Sequence, residues 1–401
     1  MSGEPVTYDS NGRGAVGDCV GGNPRFAGEL NKRDWSKIFE NKPWKKDIYG
    51  LLRPDSTKIF SHSRILDRAH GCLVGQLAGD NIGALVEFQS TAEIMRKYPG
   101  GPREMVDGGR WNILAGQPTD DSELALMLAR SIVQSGAYDR EAAAKAYAWW
   151  YESEPFDIGG TTANALLSAS KALQSGARVA DAASDAAARK SDSQANGGLM
   201  RISPLGIYGH GLEDDKLAEL ARLDAALTHA HPICQDANAV FCVAIAAGIR
   251  GESTPEEVYR HTVDWAGSRN VNSTVLDCLK QARDRGPEDF LAHSGWVLIA
   301  LWNAFYQLLH APGPKEGIAL TVAAGGDTDT NAAIAGALLG AVHGAEAFPH
   351  RWLDRLLTCR PMKGMPSCRH PRPRAFWPVD CLILAERLAW LGAESSRQSL
   401  L

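Results

Sequence analysis

Apolar residues recur at helical spacing along almost the whole chain from about residue 64 onwards. Apolar positions three and four residues apart indicate amphipathic or buried helices, whereas the strict alternation that is typical of β-strands is scarce here. The segments with this pattern begin near residues 63, 122, 139, 161, 179, 215, 236, 254, 272, 294, 315, 330 and 379. We therefore predict an all-α fold of about a dozen helices, without the fixed repeat period of a solenoid.

The first sixty residues differ from the rest of the chain. Residues 1–30 are rich in Gly, Asn, Asp and Ser and lack helical periodicity, which is typical of a flexible segment. From Lys32 to Tyr49, aromatic and aliphatic residues are interleaved with Lys and Arg, so this stretch either packs on its own domain or forms a surface for a partner. We predict a partly flexible extension over residues 1–62, which is a candidate partner-binding arm, and a helical domain over residues 63–395.

Composition narrows the function classes. The formal net charge is −5, and no clustered basic surface indicates nucleic-acid binding. No uninterrupted apolar stretch of about twenty residues predicts a membrane span, and the N-terminus lacks the features of a secretory signal peptide. The eight cysteines form no CxxC pair and most lie in apolar surroundings, so we expect buried free thiols in a reducing compartment, consistent with a cytoplasmic location.

Two acidic segments lie more than two hundred residues apart, and each one opens an apolar helix. The first is Thr119-Asp120-Asp121-Ser122-Glu123, and the second is Gly325-Gly326-Asp327-Thr328-Asp329-Thr330-Asn331. Either segment alone could be a well-capped helix start, because Asp, Ser and Thr are good N-caps and carboxylates are favoured there. Capping explains one Asp in the second segment better than it explains two.

Four carboxylates would repel one another if these two helix starts met in space. Hard divalent cations offset such repulsion, and magnesium or manganese prefers oxygen ligands of this kind. Neither segment contains His or Cys, which disfavours zinc and copper. A pair of such ions can make water a nucleophile at neutral pH. The residues alone therefore predict a metal-assisted hydrolase and leave its substrate open.

Four segments of the sequence, in this order and spacing, resemble the ADP-ribosylglycohydrolase family, which includes the ADP-ribosylarginine hydrolases. HGCLVGQLAGDNIGALVEF (70–88) is similar to the family's first helix, and PTDDSE (118–123) to its first metal motif. NGGLMRISPLG (196–206), followed by THAHP (228–232), is similar to the substrate loops. GGDTDTNAAIAGALLGA (325–341) is similar to the second metal motif. The resemblance spans residues 64 to 393, and it departs from the common pattern where Ser122 replaces a frequent Thr.

The resemblance implies an orthogonal multi-helix bundle with a cleft that holds two Mg²⁺ or Mn²⁺ ions. It implies metal ligands at Thr119, Asp120, Asp121, Asp327, Asp329 and Thr330, and catalytic roles for Asp121 and Glu87. It also implies an ADP-ribose pocket lined by Asn196, Gly197, Gly198, Met200 and His229. Two positions keep an alternative: His229 could be a buried structural histidine, and Arg201 could form a salt bridge under the loop.

The function implied is removal of ADP-ribose from modified protein side chains, with arginine favoured as the linkage. The alternatives are hydrolysis of O-linked ADP-ribose or a related conjugate, and a catalytically silent binding protein. Similar N-terminal extensions occur in bacterial immunity proteins of the family that block and reverse ADP-ribosyltransferase toxins. We therefore expect an ADP-ribosylated protein as substrate and a toxin as a candidate partner of residues 1–60, with no nucleic-acid or membrane partner.

Overall fold

The computed structural model describes residues 49–53, 63–251 and 254–398, and the segment from Trp35 to residue 48 lies outside this part of the chain. The described residues form sixteen α-helices and no β-strand, which confirms the predicted all-α class. The helices are α1 Ser63–Gly83, α2 Thr91–Lys97, α3 Asp120–Ser135, α4 Arg140–Glu152, α5 Gly160–Ser175, α6 Val179–Ala188, α7 Ser203–Tyr208, α8 Asp214–Ala225, α9 Pro232–Arg250, α10 Pro255–Ser268, α11 Ser273–Gln281, α12 Val297–His310, α13 Pro314–Ala323, α14 Thr328–His343, α15 His350–Thr358 and α16 Cys381–Gln398.

The first helix and α14 cross at the centre of the bundle, and both are buried along most of their length. Glycines make this crossing close. A Cβ on Gly75 would collide with the carbonyl of Gly336, and one on Gly79 would collide with the carbonyl of Ala332. At the end of α1, Gly83 meets the backbone of Asp329 in the same way. The approach of these two backbones brings the end of α1 directly onto the second acidic segment.

Three short helices, α2, α7 and α15, were not predicted. They have seven, six and nine residues, so each shows at most about two turns of helical period in the sequence. Their local signals were nevertheless present. Ser90 and Glu93 form a capping box at the start of α2, and Pro204 occupies the first turn of α7.

Tyr49 belongs to the core of the helical domain, although the sequence placed it in a candidate partner-binding stretch. Its side chain is 5% exposed and packs edge-on against Trp149, with ring centroids 5.5 Å apart. The neighbouring Leu52 donates its N–H to Asp380 Oδ2 over 2.7 Å. The alternative of packing on its own domain therefore holds for Tyr49, and this residue is unavailable as an interface anchor.

The cysteine side chains match the expectation of buried free thiols. Each of the seven cysteines in the described segments is a free thiol, and all but Cys368 are buried. Burial raises the pKa of the Cys234 and Cys381 thiols to about 12.

Within the described segments, only α9 is long and apolar enough to cross a membrane, and 83% of its apolar window is buried inside the bundle. This burial is expected of a core helix.

Candidate active site

Side chains from the two acidic segments meet in one buried cluster. The Thr330 side chain hydrogen-bonds the Asp121 carboxyl, although the two residues are far apart in sequence. The negative charge of Asp327 raises the pKa of Asp120, Asp121 and Asp329, so all three carboxyls lie near it. The helix starts of α3 and α14 therefore converge, as the family resemblance implied.

Helix capping does not explain the acidic residues. The N-cap positions Thr119 and Asp327 make no side-chain capping hydrogen bond to the first turns of α3 and α14. The Thr119 hydroxyl lies instead between two carboxylates, 2.8 Å from Asp80 Oδ1 and 3.0 Å from Asp121 Oδ2. These side chains point into the cluster, where their mutual contacts would be costly without a cation.

Two glycines shape the turn that delivers the second segment. Gly325 and Gly326 have φ values of +83° and +73°, which L-residues with a side chain rarely adopt. A Cβ on Gly326 would also collide with the carbonyl of Phe290. On the other side of the turn, Phe88 N–H donates to the Gly326 carbonyl over 2.7 Å. The turn therefore links Asp327 to the segment that carries Glu87.

Burial and mutual repulsion oppose ionisation of several carboxyls of the cluster. Burial, followed by the nearby negative charges, raises the pKa of Asp120, Asp121 and Asp329 well above the usual range for aspartate. Burial and the charges of Asp157 and Asp327 raise the pKa of Glu87 to about 8. The buried oxygen Oδ1 of Asp121 has no hydrogen-bond partner. An unpaired oxygen among mutually repelling carboxyls fits a site built for hard cations.

Asp80 is a buried carboxylate of the cluster that was not predicted. It accepts hydrogen bonds from the Thr119 hydroxyl and from the N–H groups of Thr119 and Ser122, each N···O distance being 3.2 Å. Burial raises its pKa to about 7. The only signal for Asp80 in the sequence is a single charge in the apolar run LAGDNIG. Because α1 is buried on all sides here, hydrophobic periodicity does not reveal which of its residues face the site.

Asp157, between α4 and α5, is the second carboxylate that was missed. One oxygen each from Glu87, Asp157 and Asp329 lie within 4.8 Å of one another, which is a spacing that could hold a metal ion. Burial raises the pKa of Asp157 to about 6. Glu87 is held in place by Trp111, whose Nε1 donates to Glu87 Oε2 over 2.8 Å. Asp157 lies in a loop, so no periodic pattern marks it in the sequence.

The predicted substrate loop borders this cluster. Asn196 Nδ2 donates to Asp327 Oδ2 over 2.7 Å, and Met200 is held through its carbonyl by Gln76 Nε2 over 2.9 Å. The turn of 3₁₀ helix that begins here, Asn196–Gly198, is buried. The structure therefore places the loop beside the second acidic segment, while the contacts of Asn196, Gly197, Gly198 and Met200 with substrate stay predictions.

His229 lies directly beneath this loop. A Cβ on Gly197 would sit 2.9 Å from His229 Cε1, so the ring supports the loop backbone. The ring is 1% exposed, and Nδ1 is 2.8 Å from the Thr228 hydroxyl. Burial, followed by the charge of Arg201, lowers the pKa of His229 to about 3. His229 is therefore neutral and buried, and its direct contact with substrate stays a prediction.

Arg201 forms a salt bridge under the loop, which was one of its two interpretations. Its guanidinium is fully buried and pairs with Asp224, with Nη2 3.3 Å from Oδ1. It also donates to the Gly197 carbonyl over 3.3 Å and lies 4.4 Å from the ring centroid of Tyr147. With all of its polar groups engaged inside the protein, Arg201 supports the loop from below.

A cluster of buried carboxylates beside a glycine-containing loop, on an all-α scaffold, is the arrangement that the family resemblance implied. The family model described as ADP-ribosylglycohydrolase matches residues 61–377. This protein therefore belongs to the ADP-ribosylglycohydrolase family, whose members are hydrolases that act on ADP-ribose glycosyl bonds.

Three relatives and one solved structure illustrate the similarity. The ADP-ribosyl-[dinitrogen reductase] glycohydrolase of Rhodospirillum rubrum is 29% identical over 72% of this chain and 90% of the relative. The ADP-ribosylarginine hydrolase Tri1 of Pseudomonas putida is 25% identical over 80% of this chain and 83% of its own. The human ADP-ribosylhydrolase ARH3 is 25% identical over 72% and 89%, respectively. A solved structure of an ADP-ribosylglycohydrolase-related protein complex, 26% identical, superposes with a TM-score of 0.64 over 82% of this chain and 99% of the other.

Proposed function

We propose that this protein is a metal-dependent hydrolase that removes ADP-ribose from modified arginine side chains of proteins. The observation that carries the proposal is the convergence of Asp120, Asp121, Asp327 and Asp329 with an unpartnered oxygen on Asp121. Two Mg²⁺ or Mn²⁺ ions would offset the repulsion and supply a Lewis-acidic centre that orients the ribose and activates water. Thr119, Asp120 and Asp121 would hold the ions from one side, and Asp327, Asp329 and Thr330 from the other.

The residues around the cluster suit attack on a glycosidic carbon. Asp121 and Glu87 are placed to take a proton from the attacking water, and Trp111 fixes the orientation of the Glu87 carboxyl. The surrounding carboxylates would stabilise positive charge that develops on the ribose. A leaving guanidine requires a proton, which water or an acidic residue of the cluster would supply.

Arginine is the linkage favoured by two observations. One relative is named for hydrolysis of ADP-ribosylarginine. In addition, Asp157 is half-buried and its pKa of about 6 leaves it largely ionised at neutral pH, so its negative charge would attract a cationic guanidinium. The O-linked conjugate remains the alternative substrate. It is less favoured because a neutral serine leaving group would gain nothing from such a negative charge.

The test is release of ADP-ribose from an arginine-ADP-ribosylated protein, with a serine-ADP-ribosylated protein run in parallel. We expect turnover of the arginine conjugate with Mg²⁺ or Mn²⁺, loss of turnover in EDTA and recovery when the ion is restored. Preferential turnover of the serine conjugate would reverse the assignment of linkage. Full turnover in EDTA would contradict the metal dependence, and no turnover of either conjugate would favour a silent binding protein.

We further propose that residues 1–48 bind an ADP-ribosyltransferase toxin, so that the protein acts as a cytoplasmic immunity protein. Support comes from the aromatic and basic residues between Trp35 and Lys46, which are typical of interfaces. The contacts of Tyr49 and Leu52 set the correct boundary for a test, because a deletion through residue 60 would also remove part of the core.

Deletion of residues 1–48 should abolish capture of a purified toxin of this class while leaving the melting temperature and hydrolase activity unchanged. Deletion of residues 1–53 serves as the comparison. We expect it to lower the melting temperature as well, because Tyr49 leaves the pocket beside Trp149 and Arg130 loses the Gly50 carbonyl. Unchanged toxin binding after removal of residues 1–48 would rule out this role of the extension.

A further inference from the structure

Two buried ion pairs fasten the segment before α16 to helix α3. Arg372 donates Nε and Nη2 to the two carboxylate oxygens of Glu123, both over 2.8 Å. Arg130 donates Nη1 and Nη2 to the two oxygens of Asp380, also over 2.8 Å. Glu123 and Arg130 are seven residues apart, which is two helical turns, so both pairs lie on the same face of α3. All four side chains are nearly fully buried.

The two pairs differ in what else they hold. Arg130 donates to the Gly50 carbonyl and therefore fastens the start of the described chain. Arg372 reaches instead into the loop that follows α4. Its Nη1 donates to the carbonyls of Ser153 and Glu154 over 3.0 and 3.4 Å, and its Nη2 donates to Ser153 Oγ over 2.8 Å. Every donor nitrogen of Arg372 is thus used either on α3 or on this loop.

This loop, residues 153–159, carries Asp157 and is fixed at both ends. Arg372 holds its first two residues, and at the other end the N–H of Gly159 donates to the Asp120 carboxyl. Glu154 has a positive φ of 55°, an unfavourable backbone for a residue with a side chain, which needs such support to persist. Phe156 is also stacked on His370, with ring centroids 4.5 Å apart, but the polar contacts at the start of the loop come from a guanidinium more than two hundred residues later in the chain.

We propose that Arg372 is a positioning residue that fixes the 153–159 loop and thereby holds Asp157 against Glu87 and Asp329. The inference rests on the proposed function only in that Asp157 is taken to serve the cation site. The fork of a guanidinium can contact Glu123, Ser153 and Glu154 together, whereas a Lys ammonium in its place can keep the charge but cannot span all three.

The first measurement is amide hydrogen exchange of the EDTA-treated protein, which does not depend on cations or activity. We compare Arg372→Lys with Arg130→Lys, which breaks the matched ion pair on the same helix. Arg372→Lys should accelerate exchange over residues 153–159, and Arg130→Lys should leave that loop unchanged and affect residues 49–53. Equal exchange of the 153–159 loop in the two variants would overturn the proposal.

The second measurement is a double-mutant cycle with Asp157→Asn, read out as the affinity for Mn²⁺ alone. Arg372→Lys should weaken Mn²⁺ binding about 10-fold, which is typical when support of a ligand is lost. In the Asp157→Asn background the same change should cost less than about 2-fold, because its target is already absent. Arg130→Lys should change the affinity by less than about 2-fold in either background. An effect of Arg372→Lys that is undiminished in the Asp157→Asn background would refute action through Asp157.

A milder variant guards against loss of folding. Ser153→Ala removes one contact of Arg372 together with the hydrogen bond from Ser153 Oγ to the Trp150 carbonyl, and it should give the same pattern at smaller amplitude, with its effect on Mn²⁺ affinity again lost in the Asp157→Asn background. If Arg372→Lys fails to fold, Ser153→Ala is tested in its place. Faster exchange of the 153–159 loop would then support the proposal, and unchanged exchange would overturn it. Faster exchange of the loop in a protein that binds no Mn²⁺ would uphold the positioning role and reject the proposed metal-dependent function.

Discussion

Replacement of Asp329 by Asn is expected to abolish turnover and, at the same time, to stabilise the metal-free protein. Asp329 is 2% exposed and lies near the charges of Glu87, Asp121, Asp327 and Asp157. Loss of one carboxylate ligand should lower kcat/KM by about 10³-fold or more, equivalent to about 4 kcal/mol of transition-state stabilisation. In EDTA, Asn also removes the cost of burying an aspartate that must either take up a proton or carry a repelled charge, so the melting temperature should rise by about a few degrees.

Lower activity together with a higher melting temperature would distinguish a metal-site residue from a residue that only supports the fold. A structural aspartate would lose stability and activity together. Asp264→Asn, on the exposed surface of α10, is the matched control and should change neither quantity. Asp329→Asn should also reduce the rise in melting temperature that Mn²⁺ produces in the wild-type protein. Full activity of Asp329→Asn with metal still bound would show that the site is assigned to the wrong residues.

The second large effect is a loss of stability of the metal-free protein as the pH rises. Burial raises the pKa of Asp80 from 3.8 to about 7 and that of Glu87 from 4.5 to about 8. Between the unfolded and folded pKa values, the folded protein binds more protons than the unfolded chain, so stability falls with increasing pH. The neutral buried histidines His70 and His229 act in the opposite direction, but only below their unfolded pKa of 6.5.

The decline should therefore be clearest between about pH 6.5 and 8, measured as the melting temperature in EDTA. Deprotonated carboxylates are the form that binds cations, so saturating Mg²⁺ or Mn²⁺ should restore stability most at the upper end of this range. At a hundredfold excess over Kd, the expected gain is about 2.7 kcal/mol. A stabilisation by metal that does not change with pH would indicate that the ions bind elsewhere.

The sequence predicted the long helices for physical reasons, whereas the meeting of the two acidic segments was implied by the family resemblance. Long apolar segments at helical spacing have few alternatives to burial in a helical bundle. The two pairs of aspartates on α3 and α14 were informative because capping explains one carboxylate and not four. The glycines Gly325 and Gly326 at the start of the second segment both adopt positive φ, which suits the tight turn that delivers Asp327.

The remaining site residues depend on contacts that no local pattern contains. Asp80 is hidden because α1 is buried on all sides, so its charge has no periodic context. The position of Asp157 is set by Arg372, which lies in a segment of the chain without helical periodicity before α16. His229 was placed near the correct loop, but only the structure shows that its ring is buried beneath Gly197. Non-local support of this kind becomes visible only in three dimensions.

The crossing of α1 and α14 limits how this enzyme can diversify. Where Gly75 faces Gly336, backbone touches backbone, and no larger residue can be introduced to re-space the two helices. Directed evolution toward another ADP-ribosyl conjugate should therefore leave these helices untouched. Libraries in the 153–159 loop that keep Asp157 could change the surroundings of the cluster, while the carboxylates on α1, α3 and α14 stay on backbone that the library does not alter.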